Sequence, residues 1–196
     1  EWLRKRGARF LIRIRGFFFL IGATAFAIAY FTTDVPDPND YVNSQATIIQ
    51  YSNGDEVGRI GAQNRTIIPL AKIPLDLRHA VLAAEDKGFY SQGAFNPIAI
   101  LRGAINTALG RGLQGGSNIT QQYAKTAFLT PDRTIQRKII ELIIAIKLEN
   151  QLSKDQIFEN YLNTIYFGRG AYGVETGAQV YFGRSADQLT IPQAAV

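Results

Sequence analysis

Between Gly16 and Phe31 the chain runs for sixteen residues, GFFFLIGATAFAIAYF, without one charged side chain. As a helix this is about 24 Å long at 1.5 Å per residue, slightly short for the hydrocarbon core of a bilayer. Phe10, Leu11, Ile12 and Ile14 extend the apolar surface, while Arg13 and Arg15 can snorkel toward water. One transmembrane helix within residues 1–33 is therefore expected. Arg4, Lys5, Arg6, Arg9, Arg13 and Arg15 lead into it against the single Glu1, which orients the N-terminus to the cytoplasm and the remainder outside. A cleaved signal peptide is the other reading, since Ala23-Thr24-Ala25 and Ala27-Ile28-Ala29 both have the small-residue form of cleavage sites.

The basic flank also explains the formal net charge of +5. Removing its six cations and one anion from totals of 21 and 16 leaves 15 of each in residues 34–196, so no nucleic-acid partner is expected. The chain has no cysteine, which excludes disulfides, thiolate metal sites and a cysteine nucleophile. Its one histidine, His79, reads as a surface helix position rather than a triad member. Methionine is also absent and the first residue is Glu1, as in a fragment of a longer chain.

Asp34 to Tyr41 carries two prolines and three aspartates and reads as a polar linker. Ala46 to Tyr51 and Glu56 to Ile60 are β-prone runs joined by Ser52-Asn53-Gly54-Asp55, a hairpin signal. Residues 34–73 are thus a linker and β-hairpin stem, and residues from 74 onward form a mainly α domain of roughly 150 residues at most. Asn96-Pro97 opens a helix that ends after Leu109, and Thr130-Pro131 opens another that runs to about Gln151. Ser153 and Gln156 form a capping box for a helix carrying Phe158, Tyr161 and Leu162, and Thr190 with Gln193 repeats that signal as the chain stops.

The chemistry starts at Ala80-Val-Leu-Ala-Ala-Glu85-Asp86, where an apolar helical run stops at two carboxylates. A carboxylate that loses water beside apolar residues is a better base at neutral pH, so Glu85 is the first candidate; the solvated end of a helix is the alternative. Gly110 to Gly116 holds four glycines in seven residues, followed by Ser117-Asn-Ile-Thr-Gln-Gln122-Tyr-Ala-Lys125. Glycines ahead of a helix expose N–H groups to anionic oxygens, although a plain flexible connection fits equally. In the helix after Arg133, Ile135, Ile139, Leu142 or Ile143, and Ile146 recur as an apolar stripe expected to be buried. On another face Arg137 and Lys138 can both reach Glu141, four and three residues on, as a surface ladder or as the lining of a cleft. Two carboxylates suggest chemistry at a sugar carbon, and clustered cations suggest a phosphate leaving group.

These motifs resemble, in order and spacing from about Ala46 to the end, those of the peptidoglycan glycosyltransferases (glycosyltransferase family 51), known as monofunctional enzymes and as modules of class A penicillin-binding proteins. Glu85-Asp86-x-x-Phe89 is similar to the first motif, and Gly115-Gly-Ser117-Asn-Ile-Thr-Gln-Gln122-x-x-Lys125 to the second. Arg137-Lys138-x-x-Glu141, with Arg133 upstream, is similar to the third. Lys154 to Asn163 and Phe167 to Gly170 resemble the fourth, in which Glu159 and Asn163 read as scaffold. Asn118 stands where the family usually has threonine, and Ser91 to Asn96 replaces a usual His-x-Gly-Phe-Asp pattern.

The resemblance implies a lysozyme-like two-lobed helical domain with a small β-hairpin stem and an N-terminal transmembrane helix, in a bacterial cell membrane. Its substrate would be lipid II, added to a growing glycan strand with release of undecaprenyl pyrophosphate. Glu85 and Glu141 would be the catalytic carboxylates, and Asp86, Phe89, Ser117, Gln122, Lys125, Arg133, Arg137 and Lys138 the substrate contacts. A divalent cation (Mg or Mn) held by Glu141 is implied and no organic cofactor; metal ligands are otherwise unknown. Expected partners are membrane lipids and either a C-terminal transpeptidase domain or other cell-wall synthesis proteins. A murein hydrolase or lytic transglycosylase and an inactive scaffold module are the competing readings; the hydrolase has no use for Lys125, Arg133, Arg137 and Lys138.

Overall fold

A computed structural model describes residues 2–35, 47–53, 56–60, 64–95, 109, 117–129 and 134–195. The chain divides into two compact units, Glu1–Asp34 and Val35–Val196.

The first unit is helix α1, Trp2–Thr32, which includes the uncharged run. Its stretch Arg13–Thr32 has a mean hydropathy of 1.7 over 20 residues, about 30 Å of helix. Among the described residues it is the one helix long and apolar enough to cross a membrane. Hydroxyls satisfy carbonyls of its last turn: Thr32 Oγ1 donates to Ile28 O at 2.8 Å and Thr33 Oγ1 to Ala29 O at 2.7 Å.

The second unit is mostly helical, as expected of a lysozyme-like domain with a small hairpin. Its described helices are α2 (Leu75–Glu85), α3 (Ile119–Phe128), α4 (Ile135–Gln151), α5 (Lys154–Leu162), α6 (Val174–Phe182) and the short α7 (Ile191–Ala194). The hairpin forms where the Asn-Gly signal put it: β1 (Thr47–Gln50) pairs antiparallel with β2 (Glu56–Ile60), with an irregularity between Ile49 and Gln50. A second sheet has the order β3 (Asn64–Arg65), β5 (Ala171–Tyr172), β4 (Tyr166–Gly168), with β3 parallel to β5 and β4 antiparallel to it.

Helices α3, α4 and α5 enclose the core. Ile119 and Tyr123 from α3, Ile144 and Leu148 from α4, and Ile157, Phe158 and Leu162 from α5 are all buried, joined by Leu77 of α2. Both capping boxes form, Ser153 with Gln156 at α5 and Thr190 with Gln193 at α7. His79 is exposed, as expected.

Residues 64–73, placed with the stem by the sequence, are built into the domain. Asn163 Oδ1 accepts the Ile68 N–H at 3.0 Å while its Nδ2 donates to Ile68 O at 2.9 Å. Glu159 Oε2 accepts the Leu70 N–H at 2.6 Å, and Thr176 Oγ1 accepts that of Thr66 at 3.0 Å. Gly173 completes this corner at φ +80°, where a Cβ would stand 2.7 Å from the Asn163 carbonyl oxygen, so only glycine fits.

Two expectations for α4 are corrected. The helix opens at Thr134, whose hydroxyl accepts the Arg137 N–H at 3.1 Å, and not at Thr130-Pro131; residues 130–133 lie outside the described set. Its buried stripe is also a different one. Ile135 is 83% exposed and Ile139 43%, whereas Glu141, Ile144, Ala145 and Leu148 face the core together with Ile143. Isoleucines occur all around this helix, so periodicity alone could not choose the face; packing against α3 and α5 does. The helix expected from Asn96-Pro97 lies outside the described residues apart from Leu109, and so does the glycine-rich stretch 110–116.

Candidate active site

The last turn of α2 delivers Glu85 to the surface. The helix stops there because Asp86 leaves helical geometry at φ −158°, its N–H still bonded to Leu82 O at 3.1 Å. Asp86 then ties α2 to α3: Oδ1 accepts the Gly88 N–H at 3.2 Å and Oδ2 the Ile119 N–H at 3.3 Å. An anion at the first N–H groups of a helix is favoured there by the helix dipole. The side chain expected to contact substrate thus holds two elements in place.

Glu85 itself is exposed, which corrects the expectation of a desolvated carboxylate. Its Oε2 accepts a hydrogen bond from Gln122 Nε2 at 2.8 Å. Among the described residues Glu85 is also the one charged side chain on the wall of a cavity of about 370 Å³, otherwise lined by such residues as Val81, Ala84, Tyr161, Val174 and Ala194. Phe89, expected at the substrate, is 1% exposed and packs on Phe158 with ring centres 5.6 Å apart, under the Lys154 ammonium at 4.6 Å. It belongs to the core. The neighbouring Tyr90 hydroxyl donates to Asp155 Oδ1 at 2.8 Å.

A second group of charges lies on the other side of the first turn of α3. Glu141 is 1% exposed, and Arg137 Nη1 donates to its Oε2 at 3.0 Å. The Lys138 ammonium donates to Glu141 Oε1, to Ser117 Oγ at 2.5 Å and to Gln121 Oε1 at 3.4 Å. Its three N–H groups therefore have three acceptors, while the side chain stays about half exposed (49%). A buried carboxylate is costly unless paired, and here two cations reached from the same helix pair it. Instead of facing away from the apolar stripe, Glu141 stands in it.

Helix α3 links the two groups through adjacent side chains: Gln122 reaches Glu85, and Gln121 reaches Lys138. Asn118 caps this helix, its Oδ1 accepting the Gln121 N–H at 2.8 Å, so asparagine performs locally what a hydroxyl could. Lys125 is exposed near the end of α3. Arg133 lies outside the described residues.

Sequence reasoning missed Gln121 and Tyr161. Gln121 is buried and also donates from Nε2 to Ala94 O at 2.8 Å. The buried Tyr161 hydroxyl donates to Gln122 Oε1 at 3.2 Å. Burial pushes that hydroxyl above its usual range, with the Glu85 charge adding to the effect. The one available signal was a tyrosine on the core-facing side of α5, since a buried phenol needs a partner for its O–H.

The described residues do not by themselves fit the expected divalent cation. Among the described residues no three carboxylates or imidazoles gather, and both oxygens of Glu141 are engaged by Arg137 and Lys138.

The site thus defines a helical domain that holds an exposed carboxylate and, linked to it through α3, a buried carboxylate paired with two cations. Comparison with known proteins supplies the family. The profile of the transglycosylases matches residues 53–196. Penicillin-binding protein 1A of Mycobacterium tuberculosis is 38% identical over 202 residues, covering 100% of this chain and 24% of that protein. The protein of the same name from Aquifex aeolicus is 43% identical over 180 residues, covering 90% and 25%, and that from Escherichia coli 45% over 150 residues, covering 76% and 18%. The chain spans about a quarter of the length of the first two relatives. It belongs to the transglycosylase family, whose members are glycosyltransferases.

Proposed function

We propose that this chain is a peptidoglycan glycosyltransferase module that polymerises lipid II into β-1,4-linked glycan strands. The observation that carries the reading is the placement of Glu85, free to meet an acceptor yet held by Gln122, one residue along α3 from the contact to the Lys138–Glu141–Arg137 group. Glu85 takes the proton from the 4-hydroxyl of the acceptor N-acetylglucosamine. That oxygen forms its bond to the anomeric carbon of the donor N-acetylmuramic acid as the bond to the pyrophosphate oxygen breaks, with inversion. Negative charge grows on the leaving undecaprenyl pyrophosphate, and fixed cations stabilise it most in the transition state.

Arg137 and Lys138, held by Glu141, supply that charge, and Lys125 and Arg133 are assigned to the same anion. Ser117 shares Lys138 with Glu141 and is assigned to the same phosphate. No step is assigned to a resident metal. Helix α1 anchors the module in the bacterial cell membrane with residues 35–196 on the extracytoplasmic side, where a transpeptidase domain or other cell-wall synthesis proteins work beside it. The name shared by the relatives, penicillin-binding protein, supports a setting in cell-wall synthesis.

The test is incubation of the detergent-solubilised protein with labelled lipid II, with and without Mg²⁺, on a gel that resolves glycan length. A ladder of polymer is expected, and the two conditions decide the divalent cation. Cleavage of preformed peptidoglycan without any ladder would turn the reading to a hydrolase.

A further inference from the structure

Among the described residues the Gln122 side chain is the one hydrogen-bond partner of Glu85, and its orientation is settled by what stands on either side. A carboxylate can only accept, so the Gln122 amide must turn its NH₂ toward Glu85, where Nε2 lies at 2.8 Å. That leaves Oε1 pointing away, an acceptor that needs a donor. The Tyr161 hydroxyl provides it at 3.2 Å. Tyr161 is 3% exposed, rooted in α5 between the core residues Phe158 and Leu162, so its ring has no freedom to withdraw.

We infer that Tyr161 is a positioning residue for the Glu85 carboxylate, acting through the carboxamide of Gln122. The inference rests on Glu85 being the base of the reaction proposed above. It assigns Gln122 an internal duty in place of a contact to substrate.

Without the Tyr161 hydroxyl the amide loses the bond that fixes its orientation. Its competing contact is already in place, since Nε2 also lies 3.5 Å from the Ser117 carbonyl oxygen. An amide turned toward Ser117, or flipped so that Oε1 meets the carboxylate, releases Glu85 from its place at the end of α2. Exposed as it is, Glu85 then samples several rotamers, and the share of encounters in which it meets the acceptor hydroxyl correctly falls. The burial of Tyr161 supports the assignment from a second direction, because a phenol kept protonated remains a donor at every pH at which the protein is handled.

The experiment is Tyr161→Phe in the full chain, which keeps the ring and removes only the hydroxyl. With ¹³C-labelled glutamate and ¹⁵N-labelled glutamine, the Glu85 carboxyl and Gln122 amide signals are assigned from Glu85→Gln and Gln122→Ala. Tyr161→Phe is expected to move both signals and to lower kcat about tenfold, with KM within about twofold, the pattern of a misplaced base. In the Gln122→Ala background the same substitution is expected to add no further loss of kcat. Should Tyr161→Phe fold poorly, the link is read from its other end in the folded Glu85→Gln variant, where the Gln122 amide and Tyr161 ring signals are expected to shift together. An unmoved Glu85 signal in Tyr161→Phe, unmoved Tyr161 signals in Glu85→Gln, or an equal loss of kcat with and without Gln122 overturns the inference. The spectra need no turnover, so a wild-type protein that makes no polymer counts against the proposed reaction while the signals still decide the linkage.

Discussion

The Asn163 carboxamide and the Ile68 peptide unit bond each other in both directions, N–H to Oδ1 at 3.0 Å and Nδ2 to carbonyl at 2.9 Å, across 95 positions of sequence. Asn163 is 1% exposed and Ile68 is half-buried, so water serves these groups poorly if the side chain is cut back. Asn163→Ala leaves a partly buried donor and acceptor without their partners and is expected to destabilise the domain by about 2–4 kcal/mol. Thermal unfolding checks it, with a drop of roughly 5–15 °C expected. A variant that melts with the wild type would show that the clasp contributes nothing.

Glu85→Gln keeps the shape of the side chain and removes its capacity to take a proton. Polymerisation is expected to fall by about 10²–10⁴, the usual worth of a general base, while lipid II binding stays nearly intact. Turnover at the wild-type rate removes Glu85 from the base role.

Lys138→Ala removes an ammonium shared by Ser117, Gln121 and Glu141. Affinity for pyrophosphate-bearing ligands is expected to fall about tenfold, equivalent to about 1.4 kcal/mol, as for a lost charge-assisted contact. Calorimetry with undecaprenyl pyrophosphate reads it, and an unchanged affinity sinks the anion role.

Tyr90 offers a test by pH. Loss of water, followed by its hydrogen bond to the Asp155 carboxylate, pushes the Tyr90 hydroxyl from 10.0 up to about 12. A folded value above the unfolded one means the contribution to stability is whole below about pH 10 and disappears as the pH rises through about 12. Denaturant midpoints of wild type and Tyr90→Phe are expected to differ at pH 9 and to converge toward pH 12. A difference that stays constant over that window would assign the Tyr90 contribution to packing.

The features legible in the sequence are those written in local chemistry. Ser153 with Gln156 and Thr190 with Gln193 announce their own helix starts, Asn53-Gly54 announces a hairpin, and the apolar run to Ala84 announces a helix that presents Glu85. What could not be read depends on partners far away in the chain. Thr130 and Thr134 are both acceptable caps, and only the structure shows that α4 begins from the second. The isoleucines of α4 leave its buried face open until α3 and α5 pack against it, and that choice is what buries Glu141. Phe89 sits in a functional-looking motif, yet its ring completes the core with Phe158. Nothing in the spacing of Glu85, Gln122 and Tyr161 shows that they touch, because each comes from a different helix.

The clasp of residues 64–70 by Asn163, Glu159 and Thr176 also dictates an order of events during synthesis. Helices α2 to α5 can each begin from neighbouring residues, but the partners of Thr66, Ile68 and Leu70 lie 110, 95 and 89 positions later. Closing a loop of that size costs about 4 kcal/mol of chain entropy before the first bond forms, so it is late and slow relative to the helices. A nascent chain halted before α5 would hold an early segment with its peptide groups still bonded to water. The fourth motif is thus also a fastening, which holds the earlier segment only once residues 159–176 have been made.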